Sequence, residues 1–446
     1  MWPLLSIPLI PPEALGRPSR KAATAALTAH VAVLGGTGLK GALSEALRGA
    51  KNLGGQERRF AALATRELSR HQRLLDQAAK LAGQAPGGLS LVQDQAIVRY
   101  ALWRRLFTGE TWARIGPEVA LPGPLRPRSI PDARIEALVR AEFSEPPEAP
   151  DELERAASAC SFPSWLAEAI AWSAPPGEAP AVLAALNVEA SLIVRTRGGR
   201  DACLAALADE GVDAVALPQA PDAVAVASPG ARVFETRPMK AGRLQVMDLG
   251  SQLIVELCRV APGATVVDWC AGAGGKALAL ADRVGPEGRV QAWDVSRKRL
   301  GEARERARKH GLANIEFPSE PDLGKASVVL VDAPCSGSGS LAREPDLKWK
   351  LTRAKVDEFR ARQAEILSKV VSGAAKGTAV VYATCSLLRE EDEEVVEAVL
   401  TRHPGVELDD ARGFLPPEAC AGPFFRAWPH RLAGGGFFGA RLVKRG

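Results

Sequence analysis

Two cysteines carry the chemistry this sequence points to. Cys335 lies in Asp332-Ala333-Pro334-Cys335-Ser336-Gly337 and Cys385 in Ala383-Thr384-Cys385-Ser386. Each follows a β-rich run, Ser327-Val328-Val329-Leu330-Val331 before the first and Thr378-Ala379-Val380-Val381-Tyr382 before the second. If those runs are parallel strands, both thiols reach one sheet edge, where open α/β sheets bind their ligands. A thiolate is a strong nucleophile, so two converging on one crevice point to covalent catalysis. Either cysteine alone would read as a buried inert thiol; the pair does not.

A second constellation lies upstream. The run Ala264-Thr265-Val266-Val267-Asp268 leads into Trp269, then Cys270, Ala271, Gly272, Ala273, Gly274, Gly275 and Lys276, and then a helix. Glycines here let backbone approach a ligand and leave a helix N-terminus open to it. The loop lacks both the GxGxxG spacing of dinucleotide folds and the GK[ST] ending of a P-loop. Asp294, at the end of the next strand, suits ribose hydroxyls. Together these suggest a nucleoside cofactor such as S-adenosylmethionine. Cys270 itself reads as a small buried apolar residue, and Asp268 either orders the loop or serves the ligand.

The elements that must hold these residues divide the chain. Its 446 residues are too many for one ordinary domain. The net charge of +5 hides an asymmetry, because residues 1–140 hold 20 Lys+Arg against 10 Asp+Glu. That concentration suits an appended polyanion-binding module. Apolar spacing predicts a helix over 56–81, with Arg59, Arg66, Arg70 and Arg73 on one stripe, and another over 90–107. These are the candidate RNA contacts of an all-helical domain, 1–140, although a solvated helix face explains any single arginine as well. An acidic, proline-rich stretch, 141–155, reads as a linker. A small α+β unit is expected over 156–240. From 241 to 446, strands at 264–269, 289–294, 327–332, 378–383 and 437–443 alternate with helices, as in a doubly wound parallel sheet.

Seven scattered cysteines without metal-ligand spacing argue against a zinc site and a disulfide framework, and fit free thiols in a reducing cytoplasm. Residues 1–10 are a poor signal peptide and too short to span a membrane. No metal and no membrane partner are expected, and a monomer is.

Several ordered motifs resemble the bacterial RsmB (Fmu/Sun) family of 16S rRNA cytosine-carbon-5 methyltransferases, relatives of the NOP/Sun RNA methyltransferases. They are Ser161-Phe162-Pro163-Ser164-Trp165-Leu166; Asp248 with Ser251-Gln252; Asp268 through Lys276; Asp294; the two cysteine motifs; Pro345-Asp346-Leu347-Lys348-Trp349; and Gly436-Phe437-Phe438. The resemblance implies a Rossmann-like class I methyltransferase sheet preceded by an RRM-like subdomain and a NusB-like helical domain. It implies S-adenosylmethionine as cofactor and ribosomal RNA as partner.

The chemistry follows from the base. Carbon 5 of cytosine is too weakly nucleophilic to attack a methyl sulfonium until a thiolate adds at carbon 6 and makes it enamine-like. A base must then take the carbon-5 proton as the thiolate leaves. By resemblance Cys385 is the nucleophile and Cys335 assists elimination. Asp332 would hydrogen-bond or protonate ring nitrogen 3 and also lies by the cofactor. The loop Arg343–Trp349, with Lys348, would hold the flipped base or RNA backbone, or else Trp349 packs on the sheet.

The sequence departs from the family pattern in three places. Gly272 and Ala273 replace Ala-Pro in the glycine loop. The acid before the DAPC strand is missing, leaving Glu320 or Asp322 as substitutes. Met247 stands where glutamine is frequent. A single Pro-Cys nucleophile would suit DNA cytosine methylation, and a proline-aromatic motif would suit amino-group methylation; neither matches. The altered cofactor loops alone favour the alternative of a weak or inactive RNA-binding assembly factor.

Overall fold

The computed structural model describes residues 18–81, 91–121, 123–128, 130–140, 151–227 and 232–446. Residues 1–10 and most of the acidic linker lie outside these. The described chain forms two compact units, one ending at Asn187 and including Glu344–Lys350, the other holding the remainder.

The first unit is helical. Phe60, Ala64 and Leu68 recur at fours, as do Leu75 with Ala79 and Trp103 with Phe107, and they close with Leu27 and Ile97 into its core. The helix expected over 56–81 is two, Gly55–Arg70 and Gln72–Leu81, meeting at His71. No glycine or proline marks the break. Ser161, which adopts φ 57°, accepts hydrogen bonds from the Arg73 and Leu74 amides through its hydroxyl at 2.8 and 3.2 Å. A remote side chain thus caps the second helix. Helices Glu152–Ala159, Ser164–Ser173 and Ala179–Ala185 also belong to this unit, the first packing on Gln72–Leu81. The first unit thus runs to Asn187, and these short helices bury Leu166, Ile170, Val182 and Leu183.

The second unit begins with a four-stranded antiparallel sheet, order β2 (Ala214–Ala216), β3 (Ala223–Val226), β1 (Leu192–Thr196), β4 (Leu244–Val246). Strands β2 and β4 are too short to leave a periodic signal. Because β4 lies beyond residue 240, this sheet extends past the boundary that composition suggested.

The nine-stranded sheet follows. Its parallel part runs β7 (Ile315–Glu316), β6 (Arg289–Ala292), β5 (Thr265–Asp268), β8 (Val328–Asp332), β9 (Ala379–Thr384). Antiparallel β13 (Phe437–Lys444) pairs with β9 and carries both β10 (Val406–Asp409) and β12 (Phe424–Ala427), with β11 (Cys420–Ala421) beyond β12. Helix Arg353–Gly373 makes the crossover from β8 to β9. Every residue of β9 is buried, as in strands covered on both faces. Val266, Leu330 and Val381 pack with Leu253, Leu257 and Leu278 on one face. Val329, Val331 and Tyr382 pack with Leu367 and Val370 on the other. A methyltransferase-type sheet with a small α+β sheet ahead of it is the expected architecture.

Candidate active site

Parallel pairing of β8 with β9 sets Asp332 opposite Ala383. Both cysteine loops therefore leave the sheet at its carboxyl edge, and Cys335 Sγ lies 3.4 Å from Cys385 Sγ. The Cys385 carbonyl accepts a hydrogen bond from Gly339 at 3.0 Å. Gly339 itself must be a glycine, because an added Cβ would run into the Gly436 carbonyl. The thiols are electrostatically unequal. The hydrogen bond it shares with Cys335 draws Cys385 down from the ordinary thiol value against its burial, with help from Ser340 and the Lys276 ammonium. Cys335 is raised by that same hydrogen bond, by burial, and by the charges of Cys385 and Glu391. The asymmetry makes Cys385 the more readily ionised of the two thiols.

Lys276 reaches this edge from the start of helix Gly275–Val284, its ammonium 2.7 Å from Asp332 Oδ2. Burial pulls the ammonium down, but the Asp332 carboxylate more than offsets that and leaves it above the usual lysine value. Beneath the glycine loop, Asp268 is 1% exposed, and neither carboxylate oxygen has a well-formed hydrogen bond. Burial, with Asp332 and Asp294 nearby, raises its pKa to about 7. Asp294 accepts from the Gly272 amide at 2.9 Å and the Ser296 amide at 2.7 Å, so it shapes the loop as well as facing it. Gly274, at φ 83°, lies so close to the next helix that a Cβ would stand 2.9 Å from Ala303 Cβ. Cys270 is half-buried against the core, with its thiol raised by burial. Ser319 accepts the Trp293 indole N–H and Asp322 binds Lys325, so the substituted connection lies against the end of β6.

The family described as 16S rRNA methyltransferase RsmB/F matches residues 256–443, and the ferredoxin-like domain of RsmF/B-like methyltransferases matches 162–232. Ribosomal RNA small subunit methyltransferase B of Yersinia pseudotuberculosis is 30% identical over 306 residues, 66% of this chain and 69% of that protein. The chain belongs to the RsmB/F family. The same-named proteins of Cronobacter sakazakii and Klebsiella pneumoniae are 32% and 34% identical, over 64% and 56% of this chain. The match spans 66% and 58% of their own lengths, less than two thirds. Among solved structures, one described as PH0851 aligns over 95% of this chain and 99% of its own, with TM-score 0.74 and 23% identity. NSun6 from Pyrococcus horikoshii with SFG aligns over 64% of this chain and 98% of its own, with TM-score 0.57 and 18% identity. These two are likenesses of fold.

For an RsmB/F chain, the expected RNA contacts need correction. Arg59 is exposed and Arg66 half-buried, but Arg70 is 3% exposed and paired with Glu67. Arg73 is held by Glu154 and by the Phe162 carbonyl. Lys348 is fully buried, donating to the Arg70, Cys160 and Ser161 carbonyls and to Asn187 Oδ1 at 2.6–3.3 Å, with the Phe162 ring 4.1 Å away. Burial and the Arg70 charge push its pKa well down. Trp349 is half-buried and donates its indole N–H to the Ser69 carbonyl. Arg70 and Lys348 are buried and Arg70 and Arg73 are ion-paired, so all three serve the packing of helix against segment. Lys348→Met would remove the donor that the surrounding acceptors share. We expect a stability loss of about 2–4 kcal/mol in urea unfolding. The salt dependence of RNA binding should be unchanged.

Motif residues whose role the sequence left open also prove structural. Asp248 caps helix Leu249–Cys258, accepts from the Gly435 amide and pairs with Arg343. One residue near the thiols escaped notice altogether. Glu391 looks like one more acid in Arg389-Glu390-Glu391-Asp392-Glu393-Glu394, and only its burial among the cysteine loops distinguishes it.

Proposed function

We propose that this chain methylates carbon 5 of a cytosine in RNA, 16S ribosomal RNA in particular, through a covalent Cys385 adduct. The observation that carries the proposal is the pair of unequal thiols 3.4 Å apart at the carboxyl edge of a methyltransferase sheet. Cys385 adds to carbon 6, and the electron pair it displaces collects on the nitrogen-3 side of the ring. Asp332, held through one oxygen by Lys276 and with its side chain 32% exposed, keeps its other oxygen for that edge. Carbon 5 is then nucleophilic enough to accept a methyl group. Cys335, its own proton released to solvent once Cys385 is bonded to carbon 6, takes the carbon-5 proton as the bond from carbon 6 to Cys385 breaks and Cys385 leaves as the thiolate.

S-adenosylmethionine suits the neighbouring residues and supplies an electrophilic methyl on a sulfonium. The buried Asp268 carboxylate, without well-formed hydrogen bonds, suits a cationic ligand, and the close-packed glycines leave backbone room beside it. Cys270 to Lys276 would hold the methionine end and Asp294 the ribose. The folded protein keeps the Asp268 proton up to about pH 7, whereas an unfolded aspartate loses it near 3.8. Its stabilising effect is therefore full below 3.8 and is lost as pH rises through about 7. A cation prefers the ionised form, so affinity for S-adenosylmethionine should rise with pH up to about 7 in wild type. Calorimetry across that range should show the rise flattened in Asp268→Asn. Equal pH profiles would remove Asp268 from the cofactor site.

The whole reading is tested with methyl-labelled S-adenosylmethionine and unmodified 16S ribosomal RNA, free and in particles, followed by nucleoside analysis for 5-methylcytidine. RNA binding without transfer would instead indicate an assembly factor. Arg59 and Arg66 are the remaining arginines of the original stripe for RNA. Arg59→Ala should weaken binding alike across sequences and reduce the salt slope by about one.

A further inference from the structure

Both cysteines are followed by a serine, and both serines converge on one carboxylate. Glu391 is fully buried in the turn after β9, just ahead of helix Glu393–Arg402. Its Oε1 accepts the Ser336 amide at 2.8 Å and Gln363 Nε2 at 3.1 Å. Its Oε2 accepts the Ser336 hydroxyl at 2.5 Å and the Ser386 hydroxyl at 2.6 Å. Gln363 also donates to the Pro334 carbonyl at 2.9 Å, just before Cys335. Behind the carboxylate, Tyr382 Oη donates to the Glu391 carbonyl at 2.6 Å. Asp392 is bound by Thr384 Oγ1 at 2.6 Å and Arg426 at 2.7 Å.

We propose that Glu391 is a positioning residue for the two-thiol reaction, tying the Cys335 and Cys385 loops to one buried carboxylate. This inference rests on the thiol chemistry proposed above. The physical case has two parts. A charge-assisted acceptor shared by the residues after both cysteines fixes the spacing of the sulfurs, whereas strand pairing ends at Asp332 and Ala383. A buried negative charge beside Cys335 also disfavours a second thiolate there, so ionisation falls to Cys385. Cys385 itself faces Cys335, Ser340, Lys276 and Asp332, and Cys335 faces Cys385 and Glu391. A surplus acid at a helix start would need only solvent; this one is spent on both active loops.

The test uses Glu391→Gln in the full chain, which keeps the shape and removes the charge. The first measurement needs no methyl transfer: iodoacetamide alkylation near neutral pH, with modification of Cys335 and Cys385 read by peptide mass spectrometry. Wild type should modify Cys385 in preference, and the Gln variant should lose at least about fivefold of that preference. The second measurement is steady-state kinetics, where kcat should fall about 10²-fold with KM for RNA and S-adenosylmethionine changed less than about threefold. Glu391→Asp, which restores the charge on a shorter arm, should recover the alkylation preference. If the Gln variant does not fold, Ser336→Ala with Ser386→Ala carries the kinetic test, since it removes the two hydroxyl ties alone. Unchanged alkylation preference together with unchanged kcat overturns the positioning role while leaving the methyltransferase reading intact. A shifted preference in a wild type that transfers no methyl group upholds the positioning role and sinks that reading instead.

Discussion

Cys385→Ala should reduce methyl transfer to cytosine by roughly four orders of magnitude or more, since Cys385 is the group proposed to add to carbon 6. Lys276 and Asp332 would remain paired at 2.7 Å, and the glycine loop does not depend on the thiol. The affinity for S-adenosylmethionine should therefore stay within about threefold, because the loss falls on the chemical step. Single-turnover transfer of a labelled methyl group, with calorimetry beside it, separates these effects. Residual transfer within about tenfold of wild type would move the nucleophile elsewhere.

Cys335→Ala should fail at a later point. The thiol of Cys335 is raised chiefly by its hydrogen bond to Cys385, with burial and the negative charge of Cys385 adding to it. Once Cys385 is bonded to carbon 6, that hydrogen bond and charge are gone, and Cys335 becomes able to ionise and take the carbon-5 proton. Without it, the adduct forms, is methylated and does not resolve. A protein–RNA species that survives denaturing gel electrophoresis should accumulate, while turnover falls by about 10²–10⁴-fold. Removing Cys335 also removes the donor that lowers Cys385. Adduct formation should then need higher pH in the variant than in wild type, recovering as pH rises through the new Cys385 value. A variant that turns over normally, or forms no trapped species while still transferring methyl groups, would dismiss Cys335 as the base.

Both expectations depend on which parts of the site are local. Asp332, Cys335 and Cys385 were legible because each stands just after a run of buried branched residues, and period and composition reveal such strands. The glycine loop and Asp294 were legible for the same reason. Glu391 was not, since six consecutive polar or charged residues read as a solvated turn until the fold places one beneath the thiols. Lys348 failed in the opposite sense. A lysine beside a tryptophan suggests nucleic acid, yet here its ammonium satisfies carbonyls left by helix ends in residues far away in sequence. Ser161 acts likewise on the helix at Gln72–Leu81, so that one predicted helix is two.

What the sequence by itself determined, then, is the class of sheet and the strand ends at which the two candidate sulfurs stand. Those features follow from hydrophobic period and from residue type at a strand terminus, both of which are local. The tertiary structure decided how far apart the sulfurs stand, which charged groups surround each of them, and which polar side chains are buried in packing. Those depend on burial and on hydrogen bonds between segments distant in the chain, such as Glu391 with Ser336 and Lys348 with Asn187. No local pattern encodes such pairings, because the free energy of a buried polar group is set by the partners the fold brings to it.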